Sequence, residues 1–395
     1  MKKLLVIGAS VLQLPAIIKA KKMGFFVGTL DYDKNAVGIP YADEFFCEST
    51  IDIEAVKRVA LKFKPNGIMT LASDMPMRSV AGASSLLGLN SISMETAVKA
   101  TDKGEMIKAF KEHGVASPWY FICKDKSELI ENLKNITYPA IMKPLDNAGS
   151  RGIVLAKNRQ ELLDGFAYSH GNSRGAGVIV EEYMIGREVS VETMTVDGET
   201  HILAVTDKLT TGAPHFVEMG HSEQTSLPPE MRKEVENLAK KAIKAVGINV
   251  GPSHVEIMVT DNGPKMVELG ARMGGDCITT HLVPLSTGID MIKATINVAC
   301  KETPDLTPKF NKGSAIRFIK SEIGKIKKIS GVENAKKVDG VTEITFTKSV
   351  GDMSVEINSS TDRIGFIIAQ SDTAEGAVKA CEKALSLINI EIEKV

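Results

Sequence analysis

The chain has 395 residues, 43% of them hydrophobic and 25% charged, the balance of a soluble globular protein of about two to four domains at roughly 100–200 residues each. Its 48 basic and 49 acidic side chains leave a formal net charge of −1, so it lacks the electrostatic footprint of a protein for nucleic acid or an anionic membrane. No run of about 18 apolar residues occurs, which excludes a membrane-spanning apolar helix.

Residues 3–8 form an apolar run behind Met1-Lys2. Gln13, Pro15 and Lys19 break the apolar character soon after it, and no small-residue cleavage site appears, so the run reads as a buried first strand and not as a signal peptide. Helix 13–23, strand 25–31, helix 53–63 and strand 67–71 come next. Apolar strands separated by helices predict parallel βαβ units. Gly8-Ala9-Ser10 and Asp31 make half of a dinucleotide fingerprint, but GxGxxG is absent. Residues 1–100 are therefore expected to be a scaffold that lines a substrate crevice.

Helices near 94–100 and 103–113 lead through a turn at 114–118 into a β-rich body that ends in helix 289–300. Lys301-Glu-Thr-Pro-Asp-Leu-Thr-Pro308 is a connector. Strands at 314–320, 341–347 and 364–370 and a helix at 373–387 predict a small α+β domain. The expected division is 1–100, 101–310 and 311–395. Five dispersed cysteines (Cys47, Cys123, Cys277, Cys300, Cys381) without a CxxC pair fit a reducing, cytoplasmic location. Cys277 reads as a small buried hydrophobe before it reads as a reactive thiol.

Several segments could carry chemistry. Lys143 closes the apolar strand 140–143, and Asn147-Ala-Gly-Ser-Arg-Gly152 comes after it. Such a loop either drapes backbone N–H groups over phosphate oxygens, with Lys143 as a point charge, or is a plain glycine hairpin. Strand 178–184 runs into Ile185-Gly-Arg-Glu188. Backbone leaving a sheet offers N–H and C=O groups to an adenine edge, and Glu188 is then placed for ribose hydroxyls or is an ordinary strand-end charge. The His- and Gly-rich segment 211–221 lacks a third metal ligand at zinc spacing, which leaves a substrate-lining loop or a structural loop.

Residues 253–276 are the most informative. Two apolar runs flank Asp261-Asn-Gly263, the signature of a β-hairpin, and each carries one glutamate. A turn centred near Asn262 puts Glu256 opposite Glu268, with Cβ atoms roughly 4.5–5.5 Å apart. The pair either faces water or holds a hard divalent cation between its carboxylates. Arg272 and the Gly274-Gly275 bend favour a site for metal-bound phosphate.

In this order the segments resemble the ATP-grasp superfamily of carboxylate–amine ligases, in its L-amino acid ligase-like branch. The resemblance covers most of the chain and includes the Thr101-Asp-Lys-Gly-Glu-Met-Ile-Lys108 lead-in. It implies an ATP-grasp fold, α/β and α+β in class, with a Rossmann-like pre-grasp domain, a two-part grasp body with the nucleotide between its parts, and a small C-terminal α+β domain. It implies ATP with Mg2+, or Mn2+ in its place. Lys103 and Lys143 then contact phosphates, and Gly149, Ser150, Arg151 and Gly152 form the lid. Glu181, Glu182, Tyr183 and Met184 form the adenine hinge, and Glu188 binds ribose. Glu256 and Glu268 hold the metal. Arg272, with Lys143, acts on the transferred phosphoryl group or the substrate carboxylate. His215, Glu218, His221, His254, Gly274 and Gly275 are expected to line the substrate pocket.

Many relatives have Asn two positions after the second glutamate, where this chain has Gly270. The expected reaction makes an amide through an acyl phosphate, from a small-molecule carboxylate and amine, and the resemblance implies a homodimer only in that such ligases are commonly homodimers. The alternatives are a purine-pathway or biotin-carboxylase-like ligase and a non-catalytic nucleotide sensor. A nicotinamide oxidoreductase is disfavoured by the missing glycine fingerprint.

Overall fold

The computed structural model describes residues 1–146, 152–213 and 215–394. The strands Lys3–Ile7, Phe26–Asp31, Glu44–Cys47 and Gly67–Met69 form a parallel sheet in the spatial order third, second, first, fourth. Leu4, Leu5, Val6 and Ile7 are fully buried, as in a parallel strand covered on both faces. Helix Ile53–Phe63 starts where the Asp52 carboxylate accepts the Ala55 N–H, and it buries Val56, Val59, Ala60 and Phe63. Helix Met77–Leu86 carries little amphipathic signal because nearly its whole surface, from Ser79 to Ser84, is buried.

A second, antiparallel sheet has the order Tyr120–Cys123, Val178–Glu182, Ala140–Pro144, Val154–Ala156. Helices Lys126–Asn132 and Arg159–Gly171 bury Leu129, Leu162 and Phe166 against Met142, Val178 and Val180. Opposite it stands an eight-stranded antiparallel sheet. Its order is Gly263–Gly270, Gly251–Thr260, Arg187–Val196, Glu199–Thr210, Glu218–Glu223, Gly313–Ile319, Gly365–Ser371, Val341–Phe346. This sheet does not stop at the 301–308 connector, because Glu218–Glu223 pairs with Gly313–Ile319.

Helix Pro229–Val246 lays Val235, Leu238, Ala242, Ile243 and Val246 on the eight-stranded sheet, and helix Met291–Ala299 bridges to the parallel sheet. One hydrophobic core therefore runs from Leu4 to Val298. After it, helix Ala374–Leu387 covers Ala315, Ile319, Ile367 and Ala369. The short sheet Met353–Ser354, Gly324–Ser330, Asn389–Glu393 lies beside it. Among the described residues, no helix is long and apolar enough to cross a membrane.

Glu223 is wholly buried between the eight-stranded sheet and helix Val283–Thr287, where its carboxyl oxygens meet the Thr206 hydroxyl at 2.8 Å and the Ser286 hydroxyl at 2.7 Å. Burial outweighs those hydrogen bonds and pushes its pKa up to about 8. The folded carboxyl thus keeps its proton while the unfolded one loses it near pH 4–5. Stability should therefore fall as pH rises from about 5 to about 8, by at most about 1.4 kcal/mol per pH unit from this group. Glu223→Gln should remove that slope. Denaturant unfolding at pH 5 and pH 8 checks it, and equal slopes in both proteins would mean an ionised Glu223.

Candidate active site

The hairpin closes at Thr260 and Gly263, so its turn is Asp261-Asn262, with Gly263 at φ +94°. Strict pairing from that closure would set Glu256 against Val267. A bulge between Glu256 and Ile257 shifts the register by one residue, and Glu256 stands opposite Glu268. A one-residue slip turns a side chain to the other face, so the bulge decides that both carboxylates look the same way. On its other flank Glu256 lies opposite Ser190, with His254 against Glu192 and Met258 against Glu188.

That face lines a cavity of about 340 Å³ between the two antiparallel sheets, reached also by Ala72 and Asp74 of the parallel domain and by Ser360 near the C-terminus. Its carboxylates are matched by cations. Lys103 Nζ donates to Glu268 at 2.9 Å, and Lys143 Nζ to Glu181 at 2.6 Å. Lys208 Nζ, on a side chain only 4% exposed, donates to Glu188 at 2.6 Å and lies 3.3 Å from Glu256 and 3.7 Å from Glu218. Arg272 forks onto Asp74 with two bonds of 2.8 and 2.9 Å. Lys265 holds Glu182 at 2.8 Å.

This pairing sets the charge states. Burial pushes the Glu256 carboxyl up, but Lys208, His254 and Arg272 outweigh it and leave it well below the usual range. Glu188 moves the other way, because burial and neighbouring Glu256 outweigh Lys208. For Lys208 burial opposes the charge, yet Glu256, Glu188 and Glu218 raise its pKa. His254 Nδ1 sits 2.5 Å from Glu192 and Nε2 3.2 Å from Glu256. Burial disfavours its charged ring, but those two carboxylates push its pKa up to about 9.

Most of the expected site residues come together. Lys103, Lys143, Glu181, Glu182, Tyr183, Met184, Glu188, Glu218, His221, His254, Glu256, Glu268, Arg272 and Gly275 all line the one cavity. Gly149, Ser150 and Arg151 lie outside the described residues. His215 is a correction. It is exposed, and the cavity takes the next side chain, Phe216, whose φ of 51° turns the loop so that its ring meets Tyr183 at 6.1 Å. Gly274 is another. It is buried beside the wall, where a Cβ would sit 2.7 Å from His254 Nδ1. Gly152, the one described residue of the expected lid, is buried where a Cβ would meet Pro144 and Asn172.

Lys208, Asp74 and Asp276 also line the cavity, although sequence reasoning does not single them out. Lys208 did leave a signal, one lysine inside the otherwise half-buried strand Glu199–Thr210. Asp74 left none, since it lies beyond a short strand in a loop with no motif. The glycine at 270 has a steric reason. A Cβ there would lie 2.5 Å from Asp74 Oδ1 and 3.0 Å from Arg272 Nε, so the Asp74–Arg272 pair occupies the space an asparagine would need.

Residues 136–280 match the ATP-grasp domain family, and residues 317–393 match L-amino acid ligase C-terminal domain 2. The L-amino acid ligase of Bacillus licheniformis superposes with a TM-score of 0.85 over 100% of this chain and 99% of its own, at 21% identity. Phosphoribosylglycinamide synthetase from Anaerococcus prevotii gives 0.81 over 99% and 100%, at 27% identity. Alanine–anticapsin ligase of Bacillus subtilis is 27% identical over 63% of this chain and 57% of its own length. The chain spans about three fifths of the length of the first curated relatives it matches. Residues 136–280 are thus an ATP-grasp domain. The C-terminal part of the chain is similar to that of the L-amino acid ligases.

Substituting Gly270→Ala should destabilise the protein by roughly 1–3 kcal/mol through overpacking. In an Asp74→Ala background the penalty should shrink, because the colliding carboxylate is gone. A double-mutant cycle by denaturant unfolding tests this, and strictly additive effects would break the assignment.

Proposed function

We propose that the chain is an ATP-dependent carboxylate–amine ligase that acts on an amino acid and forms an amide through an acyl phosphate. One observation carries the reading: Glu256 and Glu268, opposed across a hairpin and each held by a lysine, share a cavity wall with Arg272. The two carboxylates are hard oxygen donors on one face, which suits Mg2+ and equally Mn2+. They would hold such an ion together with nucleotide phosphates, and the bound ion would neutralise charge building on those phosphates.

The chain's own residues supply the rest. Tyr183 and Met184 lie just past the end of strand Val178–Glu182, so their backbone groups are beyond the ladder and available to an adenine edge. Glu188 is placed for the ribose. Lys143, Lys103 and Lys208 are ammonium groups within reach of the phosphates. A substrate carboxylate oriented by Arg272 attacks the γ-phosphorus, and ADP leaves. The amine then attacks the acyl carbon, gives up a proton and expels phosphate. The segment Gly149 to Gly152 is the lid that keeps water from the intermediate. In this reading residues 1–100, 101–310 and 311–395 act as three parts, in a cytoplasmic enzyme consistent with its five free cysteines.

A purine-pathway ligase is the second reading, favoured by the 27% identity to phosphoribosylglycinamide synthetase. The match of residues 317–393 to the L-amino acid ligase domain favours the first. The test is ADP release from Mg-ATP with pairs of amino acids, with mass detection of the amide. Wild type should release ADP only when amino acids are present, and Glu268→Ala should lose at least about 100-fold, of the size seen when a group stabilising transition-state charge is removed. Release that requires a sugar-phosphate amine instead would select the second reading. Silence with both would remove the ligase assignment.

A further inference from the structure

At one end of the cavity lies a polar group that the proposed reaction does not yet use. His221 is 1% exposed, lines the cavity and stands edge-on to Phe318. Its Nδ1 has no hydrogen-bond partner among the described residues, while its Nε2 faces Asp276 Oδ2 at 3.5 Å. A buried polar group left unpaired is uncommon and points to a missing partner. Asp276 faces the same space from the turn after Gly275, at a φ of 49°.

The remaining wall comes from the C-terminal part of the chain. Arg363 forks onto the Asp276 carboxylate at 2.7 and 2.8 Å, donates to the Glu218 carbonyl at 3.1 Å and stacks 3.6 Å over the Phe318 ring. Its Nε holds the Ser360 carbonyl at 2.8 Å. Ser359 and Asp362 form a capping box around this turn, and Ser360, whose hydroxyl the box does not use, reaches the cavity. Arg363 thus ties together the acid, the turn and the strand carrying His221.

We propose that Asp276, His221 and Ser360 form the subsite for the primary ammonium group of the amine substrate, and that Arg363 is the residue that positions it. An ammonium brings three donors. Asp276 keeps acceptor lone pairs beyond those used by Arg363, His221 Nδ1 is an acceptor in the tautomer whose proton sits on Nε2 facing Asp276, and the Ser360 hydroxyl supplies a third. The subsite selects an amine that arrives charged, such as the α-ammonium of an amino acid. The inference rests on the ligase reading above.

Hydroxylamine separates the two. It is uncharged at neutral pH and intercepts an acyl phosphate as a hydroxamate without needing an ammonium site. With wild type, ATP and the carboxylate substrate should give hydroxamate, and adding the amino acid acceptor should give amide. Asp276→Asn should lower the ratio of amide to hydroxamate at least tenfold, chiefly through KM for the acceptor. Ser360→Leu, which leaves the Asp276–Arg363 pair in place, should raise the acceptor KM at least fivefold with the carboxylate KM held within twofold. Arg363→Lys should fall between wild type and Arg363→Ala in the same ratio. An unchanged ratio in Asp276→Asn, or an unchanged acceptor KM in folded Ser360→Leu, overturns the subsite. Absence of both hydroxamate and amide in wild type overturns the ligase reading itself.

Discussion

The cavity depends on charge being matched where water is scarce. Two carboxylates about 5 Å apart repel by roughly 3 kcal/mol at an effective dielectric of about 20, and this wall gathers several of them. Each is met by a cation on a neighbouring element: Lys103 on Glu268, Lys143 on Glu181, Lys208 on Glu188 and Glu256, and Arg272 on Asp74. Under the ligase reading the ligands undo this pairing in one exchange. Phosphates take the lysines, and the divalent ion takes the glutamates the lysines release. The protein thus gives up buried ion pairs only as it gains equivalent ones. Stripping one partner alone would strand a buried charge, the costly case.

The same logic explains how three sheets can cooperate in one site. Asp74 comes from the parallel domain, Lys143 from the smaller antiparallel sheet, and Glu256, Glu268 and Lys208 from the larger one. Lys103 opens helix Lys103–Glu112, whose first turn is fixed by the Asp102 carboxylate on two N–H groups, so its position is set by a helix cap. The larger sheet then carries the pattern past the 301–308 connector, because Gly313–Ile319 pairs with Glu218–Glu223. That continuity brings Arg363 and Ser360 to a wall begun more than a hundred residues earlier.

Much of this was legible in the sequence wherever the signal was local. The parallel strands show as apolar runs, and helix Ile53–Phe63 shows its period and its cap. The hairpin and its glutamate pair were legible too, though by a compensation: symmetry about Asn262 names the right partner, while the real turn lies half a residue earlier and the Glu256–Ile257 bulge restores the match. What stayed hidden was long-range. Asp74 acquires meaning only from Arg272, 198 residues away, and Arg363 only from Asp276, 87 residues away. His215 was misplaced because composition marks a loop and not which of its side chains turns inward. Phe216 does so, through a backbone angle that no residue type announces.

Gly270 shows how such distant pairs constrain the chain. As a departure from the pattern that the sequence resemblance implies, it reads as a missing metal ligand. In the fold it is the residue that lets Asp74 approach Arg272, since any Cβ would overlap the carboxylate. The Asp74–Arg272 fork fixes the guanidinium plane beside the glutamates, and a bidentate pair does this with less rotamer freedom than a single contact. At this point of the wall the chain holds a rigid cation, with no room for a side chain at Gly270. Under the ligase reading, a divalent ion at Glu256 and Glu268 would take its remaining oxygen ligands from phosphate and water, the shell that a small hard cation keeps most readily.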